Sequence, residues 1–322
     1  MIVVVYHAYL VNNWEVFIQK QLDRLIKSGL YNKADEIWMT INLSIDVDEK
    51  FVKVYLSEYS KIQLDFNKEN YAEYPGIKKV KEIGDKYDDA KILYFHTKGI
   101  SNNWLTFNDK EVSIEKIINV ASWKECMEYF LIDKWEECIE KLDEYDNVAV
   151  SNNGGWLWGN FWWTKSSHIK KTRSVGLWGR WDYEAWLNLD TPESTNYEFY
   201  HMNFNPFLTN IYPEFYKKEF NRYNGKKIKI KSATYGTPPF EIDEGYSNTP
   251  LNITKDVTDI VQKLLNTTDE LKLSFNVNNE TMGSDPVWGH RKCMIIIIYP
   301  DGYPNKLFKL GITEGSIIDF NF

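Results

Sequence analysis

Short apolar runs alternate with helix-period segments over the first hundred residues of this chain. The predicted strands cover residues 2–6, 36–43, 61–66 and 91–95. The predicted helices cover residues 14–27, which Gly29 terminates, and residues 74–86. The order strand, helix, strand, strand, helix, strand is typical of an α/β fold with a largely parallel sheet. The apolar run at 91–95 predicts a buried strand of that sheet.

The middle of the chain is predicted to continue the same fold. Residues 100–121 are polar and irregular, so we expect a loop with a short helix there. An amphipathic helix should follow, with Ser122 as its N-cap and an apolar face that is typical of a core. Residues 147–151 predict another strand, and a further helix begins at Arg180.

The composition changes near residues 221–227, and short strands separated by Gly, Pro, Asn and Asp follow. They are predicted at residues 227–233, 271–277, 293–299, 307–312 and 317–322. This pattern favours a small all-β sandwich. We therefore expect two domains, residues 1–222 and residues 223–322.

Polar side chains stand where several predicted strands end. They are His7, Asp65 and the run His96-Thr97-Lys98-Gly99. Ligands of open α/β sheets bind outside the carboxyl ends of the strands, so these residues are candidates for a site. Lysine and histidine beside a glycine suit an anionic ligand, although a plain polar turn fits the same pattern.

The amino-acid composition favours some classes of ligand over others. Of the 322 residues, 16% are aromatic, with 13 Trp and 21 Tyr. Amphipathic rings line sugar and nucleoside sites, and they also fill cores. The formal charge of −8 argues against nonspecific nucleic-acid binding, which needs a basic surface.

The three cysteines, Cys126, Cys138 and Cys293, have no metal-like spacing, so we expect free thiols in a reducing compartment. The amino terminus lacks the pattern of a signal peptide, and no apolar run approaches the length of a membrane span. We therefore expect a soluble cytoplasmic protein.

Tryptophans concentrate in a glycine-rich stretch, residues 152–163. Loops rarely bury so much aromatic surface, so part of this stretch is a candidate ligand site. A second cluster, residues 180–186, combines acidic and aromatic side chains at the start of a predicted helix.

Four segments together resemble a family of GT-A-like glycosyltransferases from bacteria, algae and large viruses. They are Tyr94-Phe95-His96-Thr97-Lys98-Gly99, Ser122-Trp123-Lys124, Gly159-Asn160-Phe161-Trp162-Trp163 and Glu184-Ala185-Trp186. The His-Thr-Lys element is similar to one in rhamnan-synthesis transferases, and the resemblance covers roughly the first two-thirds of the chain. It implies a Rossmann-type mixed sheet flanked by helices, a nucleotide-sugar donor, and a glycan or other hydroxyl acceptor. Lys124 stands where the family carries Arg.

The resemblance departs from the family at the donor diphosphate. GT-A enzymes usually hold a divalent cation with an Asp-x-Asp at the end of the fourth strand, where this chain has His96-Thr97-Lys98. Asp46-Val47-Asp48 follows the second strand and fits a solvated turn. Two interpretations remain: Lys98, with His96, neutralises the diphosphate without metal, or His96, His201 and a carboxylate bind Mn²⁺ or Mg²⁺.

The resemblance also implies roles for other residues. An inverting enzyme of this family places a carboxylate base at the start of the helix after the acceptor loop. Glu184 is the first candidate for this base, and Asp182 is the second. The alternative is that Glu184 is an exposed carboxylate that only stabilises the start of the helix. Asp65 is a candidate for nucleoside contact. Trp162 and Trp163 are candidates for stacking on the acceptor or donor sugar, and the alternative is that one of them is a core residue. Asn160 is a candidate for a hydrogen bond to a sugar hydroxyl.

The carboxyl-terminal motifs resemble an uncharacterised β module appended to other enzymes and to some chaperone-like proteins. They are Ala233-Thr234-Tyr235-Gly236, Asp256-Val257-Thr258, Asp285-Pro286 with Lys292, and Glu314-Gly315. A carbohydrate-binding role would fit beside a transferase, and a structural or partner-docking role is the alternative. For the whole chain, the competing hypothesis is a non-catalytic glycan-binding protein on a degenerate transferase fold.

Overall fold

A computed structural model describes residues 1–11, 13–100, 106–107, 110–111, 114–201, 204–217, 223, 225–237, 253–287 and 292–322. The chain forms two compact units. The first comprises Met1–Phe107 with Lys124–His201, and the second comprises Asn108–Trp123 with Met202–Phe322. The division into domains 1–222 and 223–322 stays a prediction.

Strands and helices are numbered along the chain. The strands are β1 (Ile2–Leu10), β2 (Glu36–Leu43), β3 (Ile62–Asn67), β4 (Lys91–His96), β5 (Thr106–Phe107), β6 (Lys110–Glu111), β7 (Asn147–Ala149), β8 (Asn152–Asn153), β9 (Trp156–Leu157), β10 (Trp162–Lys165), β11 (Asn196–Glu198), β12 (Ile228–Gly236), β13 (Thr254–Asp256), β14 (Lys272–Asn276), β15 (Cys293–Pro300), β16 (Phe308–Thr313) and β17 (Ile317–Asn321). The α-helices are α1 (Trp14–Lys27), α2 (Leu30–Lys33), α3 (Glu49–Tyr55), α4 (Tyr74–Lys86), α5 (Ile114–Glu128), α6 (Trp135–Lys141), α7 (Ser166–Ile169), α8 (Arg180–Leu189), α9 (Pro213–Tyr216) and α10 (Thr258–Asn266). A π-helical turn, Tyr129–Asp133, separates α5 from α6, and a 3₁₀ turn, Trp158–Asn160, precedes β10.

The four predicted strands of the first hundred residues are confirmed as β1 to β4, and the two predicted helices as α1 and α4. One helix start is wrong. Ser122 lies inside α5, which begins eight residues earlier at Ile114, and its hydroxyl donates to the Asn119 carbonyl at 2.8 Å. Asp46-Val47-Asp48 is a turn, as expected, and Asp48 caps α3 by accepting from the Lys50 amide at 2.8 Å.

A seven-stranded mixed sheet with the order β11-β7-β10-β4-β1-β2-β3 forms the first unit. Strands β4, β1, β2 and β3 run parallel, and β10 runs antiparallel to both β4 and β7. The mixed α/β sheet expected from the sequence is thus confirmed. The chain builds outward from β1 to β3 and then places β4 on the other side of β1. The β1–β4 junction is therefore a topological switch point.

Helices cover both faces of this sheet. Successive residues of a strand point to opposite faces, so neighbouring residues of β1 face different helices. Tyr6 points toward α1, where its hydroxyl donates to Oε1 of Gln21 at 2.6 Å. His7 points toward α4. A Cβ at Gly76 would lie 2.7 Å from the His7 Cβ and 2.8 Å from Cε2 of Tyr94. Glycine at position 76 therefore lets the start of α4 approach the ends of β1 and β4.

The second unit contains separate antiparallel sheets, one of four strands in the order β13-β12-β15-β16 and one formed by β14 and β17. The expectation of an all-β module is wrong in one respect, because α10 packs against β12 and β14. Its core side chains, Val261 and Leu265, are both fully buried one helical turn apart.

Several carboxyl-terminal motif residues meet in one buried polar network, which we call the Lys292 network. Lys292 is 3% exposed, and its Nζ lies 3.2 Å from Oδ1 of Asp285 and 3.3 Å from Oε2 of Glu314. The Tyr235 hydroxyl donates to Oε1 of Glu314 at 2.8 Å. These contacts connect β12, the start of β15 and the turn after β16 within this unit.

No helix in the described part of the chain is long and apolar enough to cross a membrane. The expectation of free thiols is confirmed, since Cys126, Cys138 and Cys293 are unbridged and buried. Burial raises the pKa of all three thiols, which disfavours the reactive thiolate. The cytoplasmic location stays a prediction.

Candidate functional site

Four side chains lie in one row across the carboxyl-end half of the parallel strands. His7 pairs in register with His96 on one side and with Thr40 on the other, and Thr40 pairs with Asp65. His7 and His96 thus meet at the switch point between β1 and β4. Three of these four residues were singled out from the sequence; Thr40 was not.

His7 is a buried, neutral member of this row. It is 3% exposed, its Nδ1 lies 2.9 Å from Oγ1 of Thr40, and the Asn42 amide nitrogen lies 3.5 Å from its Nε2. Burial lowers the pKa of His7 to about 4, and the nearby Glu73 charge only partly opposes this. At neutral pH, His7 therefore orients its neighbours and carries no charge toward an anion.

The His7 environment predicts a pH-dependent stability. Between pH 6.5 and 4 the unfolded chain binds a proton at His7 that the folded chain does not, so the free energy of unfolding falls as pH falls. The expected loss is about 3 kcal/mol by pH 4. Urea unfolding of the wild type and His7→Gln at several pH values measures it. Burial also lowers the His168 pKa, so only the difference between the two proteins reports on His7. Parallel pH profiles would contradict this assignment.

Glu73, at the start of α4, is a buried carboxylate that the sequence analysis missed. It is 7% exposed, and its Oε2 accepts hydrogen bonds from the Asn160 amide and, at 3.3 Å, from the Tyr94 hydroxyl. Its Oε1 lies 3.7 Å from Nε2 of His96. That nitrogen also lies 2.9 Å from the Gly159 carbonyl. Glu73 therefore connects α4, β4 and the turn before β10.

The His96-Thr97-Lys98-Gly99 run turns sharply after β4. The Thr97 amide donates to the His7 carbonyl at 3.0 Å, and its hydroxyl accepts from the Tyr9 amide at 3.0 Å. These bonds fix the run to β1. Lys98 is only 7% exposed, so it is largely buried directly after the carboxyl end of β4. Gly99 has φ +80°, a left-handed conformation that favours glycine.

Asp65 lies at the outer end of the row. Its Oδ2 is 3.4 Å from Nζ of Lys79, which in turn lies 4.3 Å from the centre of the Trp38 ring. The Asp65 side chain is 46% exposed, so it remains open to a ligand. The nucleoside contact assigned to Asp65 stays a prediction.

Three residues of the tryptophan-rich stretch are buried in the interior of the first unit. Trp162 and Trp163 are 1% and 0% exposed, because β10 lies between β4 and β7 with both faces covered. Neither indole has a ring face open to a sugar, so we assign both to packing. Asn160 is 1% exposed; it donates to Glu73 and accepts from Nε1 of Trp162 at 2.7 Å. Its amide thus orients the carboxylate of Glu73 and is not displayed to a sugar hydroxyl.

The two candidate bases on α8 have different environments. Asp182 is exposed, and its Oδ2 accepts from the Gly179 amide at 3.0 Å, which caps the helix start. Glu184 is partly buried. Burial raises the pKa of Tyr94 most, and the nearby charges of Glu73 and Glu184 raise it further. The Glu184 carboxylate therefore lies close enough to the Tyr94 hydroxyl to act on its charge. The helix-start interpretation therefore fits Asp182, and the role of Glu184 as the base stays a prediction.

The metal interpretation of His96, His201 and a carboxylate has no support among the residues that the structure describes. His201 is 57% exposed, and its Nδ1 lies 3.1 Å from Oε1 of Glu198. Within the described ranges, no three His, Cys, Asp or Glu side chains are grouped so that they could hold a metal ion. We therefore derive no step through Mn²⁺ or Mg²⁺.

A second polar residue was missed at the end of β2. Asn42 is fully buried, its amide nitrogen donates to the Ala72 carbonyl at 2.8 Å, and its Oδ1 has no hydrogen-bond partner among the described residues. The signal was present, because Asn42 follows the same rule that selected His7 and His96. A polar residue closes an otherwise apolar strand.

No family model matches this chain, and no curated protein matches it either. The geometry of the carboxyl-end edge is therefore the basis for a functional inference.

Proposed function

We propose that the chain is a glycosyltransferase that moves a sugar from a nucleotide-sugar donor to a hydroxyl group of a glycan or other acceptor. One observation carries this proposal. His7 and His96 pair in register at the switch point of the sheet, and the enclosed Lys98 follows directly. Ligands of open α/β sheets bind at this place, and a lysine there suits a phosphate group.

The donor half of the reaction needs stabilisation of a departing diphosphate. Lys98 would supply a positive charge in a water-poor setting, where a charge–charge interaction is stronger than in bulk water. The left-handed turn at Gly99 brings backbone to the same place without a side chain in the way. Glu73 and Gly159 hold the His96 ring in position.

The acceptor half needs a base. The acceptor oxygen attacks the anomeric carbon, the bond from that carbon to the diphosphate oxygen breaks, and the hydroxyl proton passes to a carboxylate. Glu184 is better suited than Glu73. Glu73 already accepts from Asn160 and Tyr94 and is 7% exposed, whereas Glu184 is partly open to solvent.

Lys98→Ala should weaken donor binding, because the enclosed ammonium would no longer face the diphosphate. A charge-assisted contact contributes about 1.5–3 kcal/mol, which corresponds to an affinity loss of roughly 10- to 150-fold. A thermal-shift screen of UDP-, dTDP- and GDP-sugars, with and without Mn²⁺, selects the donor, and calorimetry measures its affinity. Lys33→Ala, an exposed lysine on α2, is the control. Equal affinity of Lys98→Ala and wild type would exclude the phosphate role.

The alternative function is non-catalytic glycan binding on the same fold. It is favoured by His96-Thr97-Lys98 standing where GT-A enzymes usually carry Asp-x-Asp. Release of nucleoside diphosphate from the selected donor, in the presence of glycan acceptors, separates the two functions. Turnover above the buffer rate supports the transferase, and donor binding without turnover excludes it.

A further inference from the structure

Two indoles differ from the other tryptophans that the structure describes. Trp156 is 42% exposed and Trp181 is 45% exposed, whereas Trp162, Trp163 and Trp186 are at most 1% exposed. An indole left in water forgoes the stabilisation that its burial would give. Single exposed apolar side chains are ordinary, but these two lie on β9 and α8, which pack against each other.

Both elements belong to the edge of the sheet that carries His96. The β8–β9 hairpin follows the carboxyl end of β7, and β7 runs parallel to β4 because β10 is antiparallel to both. The chain then returns through Gly159, whose carbonyl contacts His96. Helix α8 is held there by two bonds: the Asn160 amide donates to the Tyr183 carbonyl at 3.4 Å, and the Asn188 amide donates to the Gly155 carbonyl at 2.8 Å.

Trp181 and Glu184 share one side of α8. Residues three apart on a helix are neighbours on its surface. The opposite side of α8 faces the core, since Tyr183, Trp186 and Leu187 are at most 2% exposed. An exposed indole and a carboxylate thus lie together on a helix that is bonded to Asn160, the residue that also donates to Glu73.

This pair of groups suits a pyranose. The ring of a sugar presents an apolar C–H face that an indole can cover, while its hydroxyls need polar partners such as a carboxylate. The hydroxyl of a serine, a threonine or an alkyl chain has no comparable apolar ring face beside the reacting oxygen.

We propose that Trp181 is the platform on which the acceptor sugar stacks, and that Trp156 contacts a further sugar unit of the same glycan. The term acceptor rests on the proposed transferase function, but glycan binding by these indoles does not require turnover. The substrate class that follows is a carbohydrate chain of at least two units.

An array of immobilised xylan, mannan, galactan, β-glucan and rhamnan, probed with the labelled full-length chain, tests this. The expected result is binding to at least one polysaccharide. Trp181→Ala should weaken that binding about 30-fold, the effect of losing an aromatic anchor. Trp181→Phe should retain part of the polysaccharide binding. Trp156→Ala should weaken binding to the polysaccharide more than binding to the corresponding monosaccharide. Tyr303→Ala removes a ring that is 39% exposed in the second unit and should change nothing.

The outcomes separate this inference from the proposed function. Absence of binding to all five polysaccharides, or equal binding by wild type and Trp181→Ala, overturns the platform. Binding that Trp181→Ala abolishes, without nucleotide-sugar turnover by the wild type, supports the platform and rejects the transferase. Because Trp181 is exposed, the melting temperature of the Trp181→Ala variant should match that of the wild type. A lower melting temperature would assign the Trp181 ring to the stability of the fold and would also overturn the inference.

Discussion

Glu184→Gln is expected to slow sugar transfer by about 10²–10⁴ while donor affinity stays at the wild-type value. Glutamine keeps the shape and the hydrogen-bonding reach of the side chain, but it cannot take the acceptor proton. The measurement is a comparison of kcat at saturating donor and acceptor, with donor affinity determined separately by calorimetry. The large expected effect follows from the role proposed for Glu184, because a positioned base usually contributes this much to the rate.

Asp182→Asn is the matched control, since it lies two residues away on the same helix. Its Oδ2 accepts from the Gly179 amide, and an asparagine oxygen can keep that bond. The rate of sugar transfer by Asp182→Asn should therefore stay within about a factor of three of the wild-type rate. The substitution is expected to change the free energy at the helix start by only a few tenths of a kcal/mol. Normal transfer by Glu184→Gln would exclude Glu184 as the base. A loss in Asp182→Asn equal to that in Glu184→Gln would point to a perturbed helix.

Strands β1 to β4 were predictable because apolar residues recur in each of them between polar boundaries. The same logic brought His7, Asp65 and His96 to one edge, since the end of each strand could be read from the change to polar residues. Their pairing in one row could not be predicted, because register depends on which strands become neighbours.

Trp162 and Trp163 show where sequence reasoning failed. Glycines and amides precede them, so the stretch has the composition of a loop. In the structure, the loop ends at the 3₁₀ turn, and the two indoles begin a central antiparallel strand. Only the position of β10 between β4 and β7 makes them core residues, and no local pattern encodes that position.

Glu73 and α5 were missed for different reasons. A glutamate before a helix looks like an ordinary helix-start carboxylate, and only the long-range contacts with Tyr94 and Asn160 distinguish it. The first half of α5 falls in residues 100–121, which were expected to form a loop with a short helix because they are polar and irregular. Ile114 and Ile118 are exposed there, so this half of the helix has no simple apolar face.

The second unit offers the largest expected effect on stability. Lys292→Met should destabilise it by about 3 kcal/mol, because the substitution leaves Asp285 and Glu314 close together without their shared cation. Lys292 is 3% exposed, so water cannot replace the lost ion pairs at that position. Hydrogen exchange at the amides of β12, β15 and β16 measures the loss within this unit, independently of the first.

Two further variants identify the cause of that loss. Lys255→Met removes a lysine whose Nζ donates to the Ser284 hydroxyl at 2.9 Å and forms no ion pair with another described residue. This substitution should cost less than about 0.5 kcal/mol. Adding Glu314→Gln to Lys292→Met removes one of the two stranded carboxylates and should restore part of the stability, which a simple loss of packing would not do. If Lys292→Met exchanges like the wild type, the Lys292 network does not hold the unit together. The motif residues Tyr235, Asp285, Lys292 and Glu314 would then have to be explained by a ligand or a partner instead.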